Sequence, residues 1–542
     1  MTEPSVLQHL IDISISLSVE RNTTRLLERI LTSAQTLTQA DGGTIYSVTA
    51  DKSLKFETLI NNSLKLYMGG SSGVPIPFPA IPIYKEGQVN QHAIVAIAAA
   101  EGDMIHIPDV YACQQYDLSA ARSMDLRTGY RTQSVLTVPM KNHEGELNGV
   151  LQLINATVDG KVSAFPAQQM ELVRSLASLA AVALTNKQLI ENMEELFQGI
   201  ARLIAKAIDE KSPYTGGHCK RVPELTMMLA DAVHSHDSGP LADFKLTEAD
   251  RHELSVAGWL HDCGKIATPE YVMDKASKLQ TIFDRIELVD AKIEIARRDL
   301  ELRFAGPLYL ASHQQDQAQV NLLQQQLAEG LAALDAGREF LRKANIGGEF
   351  MDKADQQKVA DFGRQTQICI AGIAQDLLSD NEIYNLSIAR GTLTPEERQI
   401  INRHMDVTVD MLESLPFPKH LQRVPEFACG HHEKMDGTGY PKGLTKDQMS
   451  IPARMMAIAD IFEALTASDR PYKEGKPLSE CLAIMGRMRE NQHIDPDLFD
   501  IFIERKVYLQ YAEQFLKPGQ IDKIDHSRIP GYLPPEQRYA MK

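Results

Sequence analysis

The sequence lacks paired cysteines of the kind that bind zinc or form a disulfide framework. Its six cysteines are scattered, and no two of them form a CxxC pair. Closely spaced pairs are typical of cysteine zinc sites, and disulfide frameworks are typical of small secreted chains. We therefore expect reduced thiols at all of these positions, which are Cys113, Cys219, Cys263, Cys369, Cys429 and Cys481.

Long hydrophobic runs are also missing. A membrane-spanning helix needs about 20 apolar residues, and the nearest approach is the short run LASLAAVAL at residues 176–184. The N-terminus has no positively charged start followed by an apolar run and a small-residue cleavage site, as a secretory signal would. These absences predict a cytoplasmic protein without a membrane partner.

An excess of positive charge is the third absence. The formal net charge is −16, whereas proteins that bind nucleic-acid polymers present extended basic surfaces. Polymeric nucleic acid is therefore not expected as a partner. A local cationic pocket for a small phosphate ligand remains compatible with this charge.

The N-terminal region combines helices with strands. At 542 residues the chain is too long for one ordinary core, so several domains are expected. Residues 1–187 show helical periodicity at both ends, with short β-rich runs between them such as TIYSVTA, QSVLTVPMK and GVLQLIN. Strands flanked by helices predict an α+β domain.

A linking helix is predicted over residues 188–212. Its apolar residues alternate at spacings of four and three, which is the pattern of a coiled-coil seam. The seam predicts a homodimer, whereas the alternative is an amphipathic helix that packs on its own chain. The residues of the seam are Leu189, Met193, Leu196, Ile200, Leu203 and Ala207.

Beyond this helix, leucine-rich helical segments predict an all-α domain over residues 213–520, followed by a tail at 521–542. A long insertion at about residues 276–391 interrupts the domain. It contains two long amphipathic patterns with dense surface charge, which predict a projecting helical hairpin. This arm is either a solvated structural element or a docking surface for a protein partner.

One His-Asp pair is set apart by its context. His261 and Asp262, in HDCGK, follow the apolar run LSVAGWL and so end a predicted buried helix. A second pair, His236-Asp237, lies in the polar loop HSHDSG, where we expect solvent exposure. A His-Asp pair alone is therefore a weak indication of a metal site, and further ligands are needed.

The same domain supplies those further imidazole and carboxylate groups. Together they suit divalent iron, manganese, zinc or nickel, and a shared carboxylate can hold two ions about 3.5–4 Å apart, with Asp262 as the natural bridge. Two such ions can activate water and stabilise both oxygens exchanged in phosphodiester hydrolysis. Singly, each residue has an ordinary alternative, such as a surface histidine or a buried, hydrogen-bonded carboxylate. The residues are His218, His404, His431, His432 and Asp460.

Several motifs, in order along the chain, resemble the HD-GYP subgroup of the HD phosphohydrolases. They are HDCGK, the downstream His404, HHEKMDGTGYPKGL and IPARMMAIADIFEALTASDRPYK. The resemblance covers about residues 195–275 and 390–505. It implies a helical domain with a di- or trinuclear metal centre that hydrolyses cyclic di-GMP to the linear dinucleotide pGpG, and in some members to GMP.

The resemblance also implies a set of metal ligands and a catalytic pair. Asp262 and Lys265 are assigned to catalysis, and the Lys265 ammonium would contact the scissile phosphate or its leaving oxygen. Two divalent ions are expected, iron or manganese first, with magnesium, nickel and zinc as alternatives. A third ion is not expected, because residues 212–215 lack the acidic ligand that three-metal members carry there. The two ligand sets are His218, His261, Asp262 and Asp460, and Asp262, His404, His431 and His432.

Substrate contacts implied by the resemblance lie in the GYP loop and in the motif DRPYK. The loop glycines permit close approach of the backbone to a ligand, and the loop proline rigidifies the turn. The spacing from Asp460 to Arg470 is one residue longer than in the family. The GYP loop is also a candidate contact for a protein partner. The full predicted set is Lys265, Asp436, Gly437, Gly439, Tyr440, Pro441, Arg470 and Lys473.

Residues 5–187 resemble a GAF domain through ADGGTIYSVTA, IHIPDVY, MDLRTGYRTQSVLTVPM and GVLQLINA. Such domains bind small ligands over an antiparallel sheet and often dimerise through flanking helices. The motif of cyclic-nucleotide-binding members is not matched, because Ala156 follows Asn155 and Pro-Ala-Gln follows Phe165. An unknown small ligand and no ligand at all both stay open.

Together these features predict a metal-dependent cyclic di-GMP phosphodiesterase that a GAF domain regulates. Two alternatives stay open. The substrate could be 3′,3′-cyclic GMP-AMP, which differs from cyclic di-GMP at one base. The domain could also be a non-catalytic module that binds a cyclic dinucleotide and signals through the helical arm.

Overall fold

The structure is a computed structural model that describes residues 13, 15–16, 20, 22–158, 160–212, 217–347, 350–468 and 475–534. The chain divides into two units, Met1–Phe197 and Gln198–Lys542. The boundary falls within one continuous helix, Ala167–Lys211, so the helix predicted at 188–212 is the C-terminal part of a longer one. Within the described residues, no helix is both long and apolar enough to span a membrane.

An antiparallel sheet forms the centre of the first unit. Its strands and those of two small hairpins are β1 (Gly42–Val48), β2 (Ser53–Asn61), β3 (Leu66–Gly69), β4 (Ile81–Pro82), β5 (Tyr84–Lys85), β6 (Gln88–Val89), β7 (Ile105–Ile107), β8 (Val135–Lys141), β9 (Leu147–Ile154), β10 (Ala156–Val158) and β11 (Lys161–Ser163). The sheet order is β3-β2-β1-β9-β8-β7, and β4 pairs with β2. Strands β5 and β6 form one hairpin, and β10 and β11 form the other.

Helices cover both faces of this sheet. They are α1 (Thr23–Thr38), α2 (Ile94–Glu101), α3 (Ser119–Thr128) and α4 (Ala167–Lys211). Successive strand residues point to opposite faces: Ile45 packs with residues of α1 and the first turns of α4, whereas its neighbour Tyr46 packs with residues of α2. The predicted α+β fold of the N-terminal region is therefore confirmed.

The second unit is mainly helical, as predicted. Its helices are α5 (His218–His234), α6 (Glu248–Leu260), α7 (Glu270–Met273), α8 (Ile286–His313), α9 (Gln317–Asn345), α10 (Lys353–Gln365), α11 (Asp380–Leu386), α12 (Pro395–Asn402), α13 (His404–Glu413), α14 (Val424–Cys429), α15 (Ile451–Thr466), α16 (Leu478–Glu490), α17 (Pro496–Glu504) and α18 (Val507–Phe515). Helix α5 packs against α6 and α15, and α14 packs against α6. Helix α13 packs against the 3-10 turn Cys263–Ala267.

The helical insertion is also present. Helices α8 and α9 pack against each other, and the Asp316 side chain caps the first turn of α9. Val289 and Ile293 of α8 belong to the same buried cluster as Leu341 of α9. Because the insertion has this apolar cluster of its own, its two long helices have a packed side as well as a charged one.

A short β-hairpin within the insertion was not predicted. Strands β12 (Gln367–Ile370) and β13 (Ile373–Asp376) are joined by Ala371 and Gly372, with φ values of 52° and 80°. Positive φ at both central residues is the geometry of a type I′ turn, which matches the twist of paired strands. Each strand is only four residues long, so the apolar alternation is too short to stand out among the helical patterns.

Candidate metal centre

The predicted metal ligands lie on several helices of the second unit and converge in space. Helices α5 and α13 each begin with one ligand, two follow the last turn of α6, two follow α14, and one lies within α15. All are buried or half-buried. The structure therefore brings together the whole predicted set: His218, His261, Asp262, His404, His431, His432 and Asp460.

The convergent residues form two clusters around Asp262. Within each cluster the ligand atoms lie within 4.8 Å of one another, and the clusters are His218, His261, Asp262 and Asp460, and His404, His431 and His432. Asp262 Oδ2 lies 3.1 Å from Nε2 of both His218 and His261. Asp262 Oδ1 lies 3.4 Å from His404 Nε2 in the other cluster. One carboxylate thus faces both clusters, with one oxygen toward each.

Backbone carbonyls fix the orientation of three of the imidazole rings. Nδ1 of His261 donates to Gly258 O at 2.7 Å, and Nδ1 of His431 donates to Ala428 O at 2.6 Å. His404 Nδ1 donates in the same way to Ile401 O. A carbonyl oxygen can only accept, so Nδ1 carries the hydrogen and Nε2 presents its lone pair to the centre.

The atoms that face the centre lack ordinary partners. Within the part of the chain that the structure describes, Nε2 of His261, His404 and His431 and Oδ1 of Asp262 are buried without a hydrogen bond. Burying a polar atom without a partner costs about 1–3 kcal/mol. Lone pairs on convergent imidazoles and a shared carboxylate are what divalent cations bind. The residues present therefore fit two metal ions.

Two protein-family models match separate parts of the chain. A GAF domain model matches residues 22–184, and an HD domain model matches residues 368–498. The chain carries a GAF domain followed by an HD domain. The match to the HD domain starts inside the insertion, so His218, His261 and Asp262 lie before it in sequence. The fold brings these three to the ligands that the match contains.

Curated relatives match parts of this chain. A 3′3′-cGAMP-specific phosphodiesterase of Vibrio cholerae is 34% identical over 175 residues, which is 32% of this chain and 31% of the relative. A cyclic di-GMP phosphodiesterase of Pseudomonas aeruginosa is 40% identical over 114 residues, covering 21% of this chain and 26% of the relative. Another, from Thermotoga maritima, is 43% identical over 90 residues, or 17% and 24% of the two chains. The chain thus spans less than a third of each relative's length.

Solved structures of GAF domains are similar to part of this chain. One is the GAF domain of an Acinetobacter phosphoenolpyruvate-protein phosphotransferase, at 11% identity and a TM-score of 0.26. The alignment covers 35% of this chain and 99% of that one.

Lys265 lies beside Asp262, the carboxylate that faces both clusters. Its Nζ is 2.6 Å from Asp262 Oδ2, and its side chain keeps 20% of its surface exposed. Burial alone would raise the pKa of the Asp262 carboxyl, but Lys265 and His261 hold it well below its usual range. Burial also opposes the charge on Lys265, yet Asp262 and Asp460 raise its pKa above the ordinary value. The site therefore keeps an ionised carboxylate beside an ammonium that still reaches solvent.

The fourth imidazole is held by a carboxylate that the sequence analysis missed. Nδ1 of His218 is hydrogen-bonded to Glu463, which is buried on α15. Arg221 Nε donates to the other oxygen of Glu463 at 2.7 Å. A carboxylate behind a metal-ligating histidine fixes the ring and raises its basicity. The available signal is spacing, because Glu463 follows Asp460 by three residues and so shares its helix face.

His432 and Tyr440 form one wall of the site. Their rings stack with centroids 4.9 Å apart and planes at 18°. Burial lowers the pKa of His432 to about 4 and raises that of Tyr440 to about 12. Both rings are therefore neutral near pH 7, and His432 keeps a lone pair available for a cation.

The GYP loop is organised by a second missed residue, Glu433. This buried carboxylate accepts hydrogen bonds from the backbone amides of Lys442 (2.7 Å) and Leu444 (2.9 Å). The loop closes so tightly that a Cβ on Gly439 would lie 2.5 Å from Glu433 Cα. Gly439 is thus required by an approach of the chain to itself, whereas the sequence analysis explained it by an approach to a ligand.

Of the remaining predicted substrate contacts, three lie in the GYP loop and two lie outside the described residues. Asp436 is exposed and accepts from Thr438 N at 2.9 Å, and Gly437 has a φ of 77°, so both shape the turn of the loop. Pro441 follows a cis peptide bond. Arg470 and Lys473 lie outside the described residues. The substrate-binding roles of these residues stay predictions.

Proposed function

We propose that this chain is a metal-dependent phosphodiesterase that hydrolyses cyclic di-GMP to linear pGpG. The observation that carries the proposal is that the buried Nε2 atoms of His261 and His404, which have no hydrogen-bond partner, lie on the two sides of one carboxylate, Asp262. The relatives from Pseudomonas and Thermotoga, which carry the cyclic di-GMP phosphodiesterase name, support the substrate class. Iron and manganese are the proposed ions, with magnesium, nickel and zinc as alternatives.

The candidate ligands form two sets, and each set would hold one ion. When bound, divalent ions supply Lewis-acid chemistry that acidifies water and neutralises charge on phosphoryl oxygens. His218, His261 and Asp460 would hold one ion, and His404, His431 and His432 the other. Asp262 would contact both, because its two oxygens face the two clusters.

Lys265 is the proposed cation for the departing oxygen. Its ammonium has three hydrogens, and one is directed to Asp262 at 2.6 Å. The others can reach a phosphate oxygen on the exposed side of the residue. Hydrolysis breaks the bond between phosphorus and the ribose 3′ oxygen, and a positive charge there stabilises the negative charge that develops. The linear product keeps a 5′ phosphate.

Cyclic GMP-AMP is the second candidate substrate. The observation that favours it is that a relative whose name specifies that substrate matches 175 residues of this chain, more than the cyclic di-GMP phosphodiesterases from Pseudomonas and Thermotoga match. Both rings present the same phosphodiester to the metal centre, so the two candidates differ only in how one base is held. Direct competition between the two substrates ranks them.

A turnover assay tests the proposal. The protein, purified without chelators, should contain two divalent ions per chain and should convert cyclic di-GMP to pGpG or GMP. Asp262→Ala should lose at least about a thousandfold in kcat, because one oxygen-donor group serves both clusters. Asp237→Ala is the matched control: it alters the exposed His-Asp pair, whose aspartate pairs with Lys245 at 3.0 Å. Tight binding without turnover in metal-filled protein would instead identify the non-catalytic module.

We also propose that α4 forms a homodimeric coiled coil. The seam residues Leu189, Met193, Leu196 and Leu203 are between 52% and 70% exposed in the single chain. On the second half of the helix, Ala201, Ala205 and Ile208 are instead buried. One face of the helix therefore packs within its own chain. The exposed apolar residues at heptad spacing form a second face, which can pack against the same helix of a second copy.

The GAF domain is the proposed regulatory input. Asn155 does not offer its side chain to a cyclic nucleotide, because its Oδ1 accepts from Gln133 N (2.6 Å) and its Nδ2 donates to Arg131 O (2.8 Å). Phe165 belongs to the buried core. These positions support the absence of cyclic-nucleotide sensing, and they leave another small ligand or a purely dimerising role for the domain.

A further inference from the structure

We propose that Lys211, the last residue of α4, is a positioning residue that holds the turn carrying Lys265, so that the end of the linking helix sets the geometry of the proposed catalytic lysine. The proposal rests on the phosphodiesterase function proposed above. Its basis is a set of hydrogen bonds between α4 and the turn Cys263–Ala267.

The C-terminal part of α4 lies along the helix that leads into the His-Asp pair. The side chains of Gln198 and His252 are 2.9 Å apart, and the Arg202 guanidinium lies 5.9 Å from the ring centroid of Trp259. His252 and Trp259 both belong to α6, which ends one residue before His261. The last turns of α4 are therefore fixed against the element that delivers two proposed metal ligands.

The last residue of α4 forms hydrogen bonds with the backbone of the turn itself. Lys211 Nζ donates to Ile266 O and to Thr268 O, each at 2.6 Å, and lies 3.5 Å from Lys265 O. The carbonyls at the end of a short helix carry partial negative charge and lack partners within the helix. The Lys211 ammonium supplies a full positive charge to this end, as a lysine in the last turn of a helix can do for its own final carbonyls.

The opposite side of the turn is closed by α13. Gly264 N donates to Thr408 Oγ1 at 3.0 Å, and a side chain on Gly264 would collide with the backbone oxygen of His404. The turn is thus held between α13 and Lys211. Within it, Lys265 N donates to Asp262 O at 2.9 Å. A release of the Lys211 contacts would let the turn move and would shift the Lys265 ammonium relative to Asp262.

A second hydrogen bond connects α4 to the backbone beside His218, another proposed metal ligand. Asp209, two residues before Lys211, accepts from Gly217 N at 3.0 Å, and His218 follows directly. The last turn of α4 therefore touches the backbone next to His218 and the backbone after Asp262. Because α4 is continuous from Ala167, a displacement of the helix acts on both segments at once.

Substitution of Lys211 tests the proposal in the full-length, Mn²⁺-loaded protein with cyclic di-GMP as substrate. Lys211→Met should lower kcat by roughly tenfold to a hundredfold, the range expected for a misplaced catalytic group. KM should change less than about twofold, because the misplaced charge acts on the developing transition state. Lys211→Arg keeps the charge and should restore most of kcat. Lys206→Met is the matched control, since Lys206 is exposed on the same helix.

Hydrogen exchange separates this proposal from the phosphodiesterase proposal. The amides of residues 263–268 should exchange faster in Lys211→Met than in the parent and in Lys206→Met, whether or not the protein turns over substrate. Lys211→Gln, which keeps donor hydrogens without the charge, should fall between Met and Arg and serves if the Met variant is unstable. Parental exchange and parental kcat in both neutral variants would overturn the role of Lys211. A parent without turnover but with the expected exchange pattern would overturn the proposed function alone.

Discussion

At the residue scale, the arrangement behind His218 is the most specific feature of the proposed centre. His218 is the only one of the described ligand histidines whose Nδ1 is hydrogen-bonded to a carboxylate in the structure; His261, His404 and His431 use backbone carbonyls. Arg221 in turn fixes Glu463 through Nε and Nη2, at 2.7 and 2.6 Å. An orienting carboxylate of this kind has a measurable effect on metal affinity.

Glu463→Gln should weaken Mn²⁺ binding at this cluster about tenfold to a hundredfold, because a neutral amide polarises the imidazole less than a carboxylate does. The affinity can be measured by calorimetric titration of chelator-treated protein. Glu248→Gln is the matched control, since the Glu248 side chain is 98% exposed. Equal affinities in Glu463→Gln and the parent would contradict the assigned role of Glu463.

Gly439→Ala should destabilise the GYP loop. The added methyl group would lie 2.5 Å from Glu433 Cα, and overpacking of this kind costs about 1–3 kcal/mol in the free energy of unfolding. Chemical denaturation measures this loss. A control is Gly519→Ala, where no atom lies within 4 Å of the added carbon. The same stability for both variants would show that the loop relaxes without cost.

The sequence predicted the candidate ligands, which the structure brings together, but not the residues that orient them. His and Asp in a family motif are recognisable because their chemistry is distinctive, and the fold brings all seven together. Glu463 and Glu433 were missed because a glutamate in a helix or loop is usually solvated. Only the fold shows that both are buried, one behind His218 and the other beneath the GYP loop.

At the element scale, α4 has two proposed roles, and its sequence pattern indicates only one of them. The spacings of four and three predicted the seam, whose residues are exposed in the single chain. The same pattern could not predict the hydrogen bonds from Lys211 to the turn Cys263–Ala267 and to Thr268. Lys211 looks like an ordinary charged residue at a helix end, and its partners are backbone carbonyls that carry no sequence signal.

Leu196→Glu should convert the proposed dimer to a monomer. Two copies of Leu196 would be buried in each dimer, and burial of two leucine side chains contributes about 3–6 kcal/mol. The dissociation constant should therefore rise roughly a hundredfold or more. Light scattering coupled to size-exclusion chromatography measures the molar mass.

Leu302→Glu is the control for this measurement, because Leu302 is 72% exposed on helix α8 of the insertion. It should leave the molar mass unchanged. A monomeric parent, or a dimeric Leu196→Glu variant, would contradict the coiled coil.

The short hairpin β12–β13 could not be predicted from the sequence pattern. Helices of the insertion are long enough to repeat their apolar pattern several times, whereas each strand has four residues. The turn at Ala371 and Gly372 depends on two successive positive φ values. A sequence pattern that short competes poorly with the long helices on either side.

At the scale of the whole molecule, the insertion separates the ligands in sequence but not in space. His261 and His404 are far apart along the chain, with the helices α8 and α9 between them. The apolar cluster of the insertion includes Leu279 and Leu386, near its two ends. A segment with its own packing at both ends can be long without displacing the elements that it interrupts, so the seven candidate ligands still converge.

The central claim is that water is added to a cyclic dinucleotide at the centre around Asp262. The most direct test is hydrolysis of cyclic di-GMP in ¹⁸O-labelled water by the metal-loaded protein, with mass spectrometry of the product. We predict linear dinucleotide with one ¹⁸O atom in its 5′ phosphate, and no such product from Asp262→Ala. Recovery of the intact ring from protein with a filled metal centre would contradict the claim.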